Sequence, residues 1–150
     1  MECNGDPFVT THLRENPHRQ VAIVVLINAN SEILLVRTRR LPNHWQALGG
    51  GIDPDDRSAA HAAAREAKEE AGIEIIPEDM VHLCDTLYDF GTGTIHSFSF
   101  RLERGTILMI DDAEIAETRW FKIADAVTMP MFPAMAYTLC CLASRPDLHQ

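Results

Sequence analysis

Residues 49–75 read GGGIDPDDRSAAHAAAREAKEEAGIEI, a glycine triplet and an acidic turn followed by a run of alanines. Alanine is the strongest helix former, so this run predicts a helix. Asp55, Asp56 and Ser58 are suited to its N-cap or first turn. Gly72 is suited to its C-terminal cap. The stretch therefore predicts a loop that leads into a helix with a clear end on each side.

Three glutamates of this helix, Glu66, Glu69 and Glu70, are neighbours because helical positions three and four apart share a face. Like charges at that spacing repel each other by roughly 0.2–0.5 kcal/mol per exposed pair. A carboxylate cluster has one evident use, which is to bind a hard divalent cation such as Mg²⁺ or Mn²⁺ through oxygen. The backbone carbonyls of the glycine triplet would add oxygen ligands. At this point a metal site and a solvated acidic face both remain open.

The composition limits the classes of protein to which the chain can belong. With 150 residues, of which 46% are apolar, the chain has the size of one domain and can form a substantial core. Its 22 acidic residues outnumber its 13 basic residues and give a net charge of −9. This charge argues against non-specific binding to nucleic acid or to an anionic membrane, and it suits a protein that recruits divalent cations.

Three features of the sequence bear on cellular location. The longest apolar run, VAIVVLI at residues 21–27, is far shorter than the roughly 20 residues that span a bilayer. The N-terminus lacks the basic-then-apolar order of a signal peptide. The four cysteines form no C-x-x-C pair, so we expect reduced thiols and a cytoplasmic protein.

The flanking segments predict a mixed α/β fold. Residues 1–18 are polar and irregular and predict a flexible N-terminal arm, which leaves residues 19–150 as a single domain. Strand patterns precede and follow the acidic helix, which favours one α/β domain with a mixed sheet. Strands are predicted at residues 20–27, 32–40, 80–90, 94–103 and 117–123, with a short extended piece near 45–48, a hairpin turn at 91–93 and a terminal helix at 132–144.

The spacing of the charged residues resembles a known family motif. From Gly50 the sequence runs five residues to Asp56 and eight more to REAKEEAGI at 65–73. This is similar to the Nudix box, G-x5-E-x7-R-E-U-x-E-E-x-G-U, where U is an aliphatic residue. The preceding WQALGGGIDPDD resembles the family's W-x-x-P-GGGVEPGE, and ETRWFKI resembles its late Glu-x-x-Trp-Phe segment. The resemblance covers about residues 19–144 and implies a Nudix-type α/β/α sandwich with a mixed β-sheet.

The sequence departs from the family motif at its start. Leu48 stands where proline is usual. Asp56 replaces the first glutamate of the motif, and one extra residue separates it from Arg65. Strict spacing would instead place Arg57 at the glutamate position, and an arginine cannot bind a metal ion. We prefer the alignment with one inserted residue, because it keeps the glycine loop in step with the family.

The resemblance implies a Mg²⁺-dependent hydrolase, with Mn²⁺ as a substitute, that cleaves a nucleoside diphosphate linked to another group. By position in the motif, Glu69 and Glu70 are the core metal ligands. Glu66 is a further ligand or the base that activates water, and Arg65 orients that carboxylate. These four residues form the implied catalytic set.

Further ligands implied by the resemblance lie outside the helix. The backbone carbonyl of Gly49 or Gly50 completes the metal shell. Asp56 anchors the loop or contacts a second metal ion. Many relatives use one more acid from a late loop, and Glu114 and Glu117 are the candidates for it here.

The resemblance implies that the substrate is a small-molecule nucleotide. IIPEDMVHL after the motif resembles the branch that trims (deoxy)nucleoside triphosphates to monophosphates. Neither the coenzyme A signature nor the proline–aromatic signature of NADH pyrophosphatases is found in the sequence. Arg37, Arg39, Trp45 and Tyr88 are candidates for binding phosphate or stacking a base, although exposed turn arginines and a packed strand tyrosine need no such role. Many relatives are dimers, so a homodimer fits the resemblance, but no sequence feature marks its interface.

Several alternative functions remain open from the sequence. One is a non-catalytic Nudix-fold module that senses a nucleotide, which the altered first acid favours slightly and the complete REAKEE pattern opposes. Another is a hydrolase of nucleotide sugars or dinucleoside polyphosphates. An isomerase of allylic diphosphates would need an additional cysteine and glutamate site, and Cys84 is isolated in the sequence. The last alternative is a structural acidic helix that binds no metal.

Overall fold

The computed structural model describes residues 19–88 and 93–150. The predicted N-terminal arm, residues 1–18, lies outside the described residues. The same holds for Gly91 and Thr92 of the predicted hairpin turn.

Six strands form one mixed sheet. They are β1 Gln20–Ile27, β2 Ile33–Thr38, β3 Leu48–Gly51, β4 Val81–Tyr88, β5 Gly93–Arg101 and β6 Ile115–Phe121. Their order across the sheet is β4-β5-β1-β2-β6, and β3 also pairs with β1. β1 and β5 run parallel, whereas the other pairs are antiparallel. The mixed sheet predicted from the sequence is therefore confirmed.

Helices cover both faces of this sheet. They are α1 Ala59–Ala71, α2 Ile123–Ala126, α3 Pro133–Ala143 and α4 Pro146–His149, with a 3₁₀ helix at Pro77–Asp79. α1 packs on one face and α3 on the other, so the predicted α/β/α sandwich is confirmed. Within residues 19–88 and 93–150, none of the helices has the length and hydropathy that a bilayer span requires.

Alternation along β1 divides the core into two layers. The β1 residues on the α1 side are Ala22, Val24 and Leu26, and those on the α3 side are Ile23, Val25 and Ile27. Each fully buried valine, leucine or isoleucine side chain contributes roughly 1.5–3 kcal/mol relative to an exposed one. Ala62, Ala63 and Ala67 of α1 are fully buried against the sheet. Because alanine is small, α1 lies close to the sheet, which brings its glutamates next to the backbone of β3.

The ends of α1 follow the residues that the sequence indicated. Ser58 is the N-cap, and its hydroxyl accepts a hydrogen bond from the His61 N–H at 3.1 Å. Gly72 is the C-cap in a left-handed conformation, with φ of 67°. Its N–H donates to the carbonyl of Lys68 at 3.0 Å. Of the three N-cap candidates, Ser58 is therefore the one used.

The glycine triplet forms a strand and not the predicted loop. It lies in β3 and pairs antiparallel with β1, with Gly49 opposite Ile23 and Gly50 opposite Ala22. A Cβ atom on Gly49 would lie only 2.3 Å from the carbonyl oxygen of Ala22. Glycine generally weakens strands, which is why the pattern suggested a loop. Here the missing side chain allows two backbones to approach closely.

Two smaller differences concern the C-terminal third of the chain. β6 begins at Ile115 and ends at Phe121, so it starts earlier than the predicted strand at Glu117. The four-residue helices α2 and α4 were not predicted. Helices this short carry too few residues for a periodic apolar pattern to be recognised.

Replacing Gly49 with alanine is expected to destabilise the fold, because the added methyl group collides with the backbone of β1. The expected loss in the free energy of unfolding is about 1–3 kcal/mol, the range for overpacked sites. Gly51→Ala is the matched control, since a Cβ atom there meets nothing within 4 Å. It should change stability by less than about 0.5 kcal/mol. Urea denaturation measures both variants, and equal stabilities would contradict the close contact.

Candidate active site

The packing of α1 against β3 places two glutamates beside the glycine strand. The Gly49 N–H donates to Oε1 of Glu70 at 2.8 Å. The Glu66 carboxylate lies against Gly50, where an added Cβ atom would be 2.5 Å from Oε1 of Glu66. Glu70 is 2% exposed and Glu66 is 9% exposed. The glycines of β3 therefore make room for carboxylates that are removed from solvent.

Arg65 connects the loop before α1 with the glutamates of the helix. Its Nε and Nη2 atoms donate to the two oxygens of Asp56 at 3.1 and 2.9 Å. Its Nη1 atom donates to Glu66 at 3.1 Å and to Glu69 at 3.2 Å. Nη2 also donates to the carbonyl of Gly51 at 3.1 Å. With so many acceptors, Arg65 is more than the weak exposed pair with Glu69 that its spacing alone would suggest.

Asp56 lies where it can anchor the loop. Its side chain is 9% exposed, and its Oδ2 atom accepts a hydrogen bond from the Asp53 N–H at 2.8 Å. The hydrogen bond from Arg65 holds the pKa of Asp56 below its usual value, although burial opposes this. Arg57 is exposed. Of the two roles considered for Asp56, the geometry favours the anchor over contact with a second metal ion, and it fits the alignment with one inserted residue.

The surroundings of the two buried glutamates disfavour their ionised forms. Burial raises the pKa of Glu70 to about 8. The charges of Glu66, Glu114 and Glu69 contribute to this rise. Burial also raises the pKa of Glu66, against the opposing charge of Arg65. A positive charge added among these carboxylates would therefore be strongly favoured.

The donor atoms at this site fit a magnesium ion. All are carboxylate or carbonyl oxygens, which hard divalent cations prefer. In the part of the chain that the structure describes, no three acidic, histidine or cysteine side chains converge closely enough to form a finished metal site. Arg65 instead holds Glu66 and Glu69. A shared cation would draw the exposed Glu69 and the buried Glu66 and Glu70 together and neutralise their charge, so these three residues are the ones that would hold it.

The two late acids predicted from the sequence have different surroundings. The charge of Glu114 raises the pKa of both Glu66 and Glu70, so Glu114 belongs to the electrostatic environment of the site. Glu117 instead forms ion pairs with Arg37 and with Arg119. The hydrogen bonds from those two arginines hold the pKa of Glu117 below its usual value. The charge of Glu114 thus acts on Glu66 and Glu70 of α1, whereas Glu117 is paired with arginines.

The loop that carries Glu114 is attached to α1 through its backbone. The Asp111 N–H donates to the carbonyl of Glu70 at 2.9 Å, and the Arg39 N–H donates to the carbonyl of Glu114 at the same distance. The Asp111 carboxylate accepts from the Ala113 N–H at 3.0 Å. Sequence reasoning missed Asp111, although an aspartate two residues before a turn N–H is a recognised turn signal. The hydrogen bond from Arg65 to the Gly51 carbonyl could not be predicted from the sequence either, because a backbone carbonyl is present at every residue.

The predicted substrate-binding residues are not brought together as a substrate pocket. Trp45 is 4% exposed, and the Arg119 guanidinium lies 4.9 Å from its ring centroid, so its ring is packed inside the protein and stacking on a base stays a prediction. Arg37 bonds to Glu117 and to the Pro42 carbonyl. Arg39 donates from Nε to the carbonyl of Asp112 at 2.7 Å and so supports the Glu114 loop. The side chain of Tyr88 lies outside the described part of the structure.

Comparison with protein families identifies the domain. The family model described as NUDIX domain matches residues 16–140, which is most of the chain. The chain belongs to the NUDIX domain family. The match spans α1, β3 and the loop between them. It confirms the family that REAKEEAGI and the preceding glycines indicated.

Curated relatives of this NUDIX domain are hydrolases. The chain is 27% identical over 121 residues to the NAD-capped RNA hydrolase NudC of Stutzerimonas stutzeri, with 80% of this chain and 42% of the relative covered. It is 28% identical over 125 residues to NudC of Salmonella heidelberg, with 82% and 48% covered. The chain therefore spans less than half the length of these relatives. Family and relatives together support the predicted enzyme class, a hydrolase of phosphoric anhydride bonds.

Solved structures support the fold. The Ap4A hydrolase of C. elegans matches with a TM-score of 0.72 and 21% identity, covering 86% of this chain and 98% of that chain. The dihydroneopterin triphosphate pyrophosphohydrolase of E. coli matches with a TM-score of 0.65 and 18% identity, covering 80% and 91%. At these identities the similarity shows the Nudix fold alone.

The burial of Glu70 predicts that the metal-free protein loses stability as pH rises. Between its ordinary value of 4.5 and about 8, native Glu70 keeps a proton that the unfolded chain has released. The unfolded state then binds fewer protons, so the free energy of unfolding falls with increasing pH across this window. Glu70→Gln retains an oxygen that can accept from Gly49 and removes the titration, so its stability should depend less on pH.

Urea denaturation in a chelating buffer from pH 5 to pH 8.5 measures this difference. Glu74→Gln is the matched control, because the Glu74 side chain is 80% exposed and pairs with Lys68 at 3.0 Å on the surface. The control should keep the wild-type slope. An identical slope in wild type and Glu70→Gln would show that Glu70 does not titrate in this window.

Proposed function

We propose that the chain is a Mg²⁺-dependent hydrolase that cleaves a diphosphate linkage in a nucleoside diphosphate derivative. The observation that carries the proposal is the pair of buried carboxylates, Glu66 and Glu70, whose pKa values are raised beside Glu69. A buried cluster of this kind is unfavourable for a purely structural helix. It is well suited to a hard cation and to the phosphate groups that such a cation binds.

The residues of the site have distinct roles in this proposal. When bound, Mg²⁺ supplies charge neutralisation for the phosphates and lowers the pKa of water. Glu69 and Glu70 are proposed as its principal side-chain ligands, and a carbonyl of Gly49 or Gly50 as a backbone ligand. Burial of Glu66 and Glu70 limits the access of bulk water to these two carboxylates and strengthens their charge interactions.

The proposed chemistry is the attack of water on an anhydride phosphorus. The new P–O bond forms from the water oxygen, and the bond from that phosphorus to the bridging oxygen breaks. Its electron pair leaves with pyrophosphate, and the other product is a nucleoside monophosphate. Arg65 binds Oε1 of Glu66 at 3.1 Å, which orients the carboxylate so that its other oxygen can accept the proton from water. Glu114 is the second candidate for that proton.

Nucleoside triphosphates and their deoxy forms are the proposed first substrates. The segment IIPEDMVHL supports this, and the E. coli pyrophosphohydrolase of similar fold acts on a triphosphate by its name. A second candidate is the NAD cap of RNA, which the names of the NudC relatives supply. The net charge of −9 disfavours a large contact with the RNA backbone. A dinucleoside polyphosphate, as in the C. elegans enzyme of similar fold, is the third.

A substrate panel distinguishes these candidates. Purified protein with Mg²⁺ is offered nucleoside triphosphates, deoxynucleoside triphosphates, nucleotide sugars, Ap4A, NADH and a short NAD-capped RNA. We expect the triphosphates to turn over fastest and to release pyrophosphate and nucleoside monophosphate in equal amounts. Faster cleavage of the capped RNA or of Ap4A would replace the proposed substrate class. Binding of Mn²⁺ without turnover of any compound would favour a nucleotide sensor.

Glu69→Gln and Glu70→Gln are each expected to lower Mg²⁺-dependent turnover by at least about 100-fold. The reason is that a metal-stabilised transition state loses several kcal/mol when a ligand is removed. Steady-state kinetics at saturating Mg²⁺ measures the loss, and circular dichroism verifies the fold. Glu74→Gln lies just beyond the same helix on the surface and should keep wild-type turnover. Wild-type turnover in a folded Glu69→Gln/Glu70→Gln variant would eliminate the proposed ligand set.

A further inference from the structure

Arg65 divides its hydrogen-bond donors between two sets of carboxylates. Nε and Nη2 face Asp56, at 3.1 and 2.9 Å. Nη1 alone reaches the helix glutamates, at 3.1 Å from Glu66 and 3.2 Å from Glu69. The strong two-point contact of the guanidinium is therefore made with Asp56, and the glutamates receive one donor atom between them.

We propose that Asp56 is a positioning residue that limits the contact of Arg65 with the metal-binding oxygens of Glu66 and Glu69 to the single donor atom Nη1. This inference rests on the proposed metal-dependent function. A guanidinium and a divalent cation compete for the same carboxylate oxygens, because each of them neutralises the charge. By binding the Nε–Nη2 edge of Arg65, Asp56 leaves only Nη1 to contact Glu66 and Glu69.

The loop holds Asp56 in place independently of Arg65. The Asp53 N–H donates to Oδ2 of Asp56 at 2.8 Å, and the Asp56 N–H donates to the Asp53 carbonyl at 3.0 Å. These two bonds close the turn and fix the Asp56 side chain, which is 9% exposed. A carboxylate fixed in this way is preorganised to bind a guanidinium.

Loss of Asp56 would redirect Arg65 toward the helix. Nη1 already lies 3.2 and 3.3 Å from the two oxygens of Glu69. A guanidinium without its Asp56 contact can complete a two-point bond with Glu69 or Glu66, since both carboxylates are within its reach. A cation would then have to displace that bond in order to bind.

The contact between Asp56 and Arg65 also bears on the residue inserted at the start of the motif. An aspartate side chain is one carbon shorter than the glutamate of the family motif, and the loop here is one residue longer. The longer loop brings the shorter side chain to Arg65 while Arg57 stays exposed. The two departures from the motif are therefore matched to each other.

Titration with Mn²⁺ alone, followed by calorimetry, tests the inference on the full chain. Wild type, Asp56→Asn, Arg65→Gln and Asp56→Asn/Arg65→Gln are compared. We expect Asp56→Asn to weaken Mn²⁺ binding by about 10-fold or more, as supporting partners of metal ligands commonly do. Removing Arg65 as well should restore much of the lost affinity, because the competing guanidinium is gone. A merely structural role for Asp56 would leave the double variant as weak as the single one, or weaker.

The outcomes separate this inference from the proposed function. If wild type binds no Mn²⁺, the metal-dependent function fails and the inference fails with it. If wild type binds but Asp56→Asn binds equally well, or the double variant shows no recovery, only the role of Asp56 fails. Thermal melting in a chelating buffer confirms that each variant is folded. If Asp56→Asn unfolds, Asp56→Ser replaces it, since its hydroxyl can still accept from the Asp53 N–H.

Discussion

The close contact between α1 and β3 is the constraint from which the geometry of the site follows. Small residues on both sides allow it, since α1 presents buried alanines and β3 consists largely of glycine. The helix then lies near enough for Glu70 to reach the Gly49 N–H at 2.8 Å and for Glu66 to lie against Gly50. Larger side chains on either surface would separate the carboxylates from the strand. The alanines thus serve the placement of charge as well as helix formation.

The same contact buries two carboxyl groups, and their ionisation in the native state costs stability. Ionised carboxylates removed from water are unfavourable unless they are paired, and Arg65 pairs with Glu66 and Glu69 but not with Glu70. The two apolar layers around β1 supply the stability that offsets this cost. A cation that binds only the native state would reverse the effect and add to the free energy of unfolding. Function and stability therefore oppose each other in the metal-free protein and support each other once metal is bound.

The fold was largely predictable because its signals are local. The alanine run, the Ser58 cap and Gly72 define α1, and the apolar run of β1 defines the centre of the sheet. The glycine strand was missed because its cause is a close approach to Ala22, which no local pattern records. Strand register could not be predicted from the sequence either. Register determines the partners of several candidate site residues.

Glu117 and Trp45 show how register changes the role of a residue. Arg37 lies directly opposite Glu117 in the pairing of β2 with β6, so the two form a cross-strand ion pair. Arg119 of the same strand bonds to Glu117 and covers Trp45. From sequence position, Glu117 was a candidate metal ligand and Trp45 a candidate base-stacking ring. In the structure, Glu117 pairs with Arg37 and Arg119, and Arg119 lies over the Trp45 ring. The positions of the helical glutamates do not depend on strand register, because all three lie in one helix, which determines their spacing.

The concentration of acids also bears on how a substrate would bind. A polyphosphate approaching Glu66, Glu69 and Glu114 meets charge of its own sign, within a protein whose net charge is already −9. Under the proposed function, a cation must therefore act before any bond is broken, because without it the substrate is repelled. The affinities for metal and for substrate are then coupled, each raising the other by the same factor. Arg65 cannot replace the cation in this respect, since most of its charge is already directed to Asp56 and to the glutamates themselves.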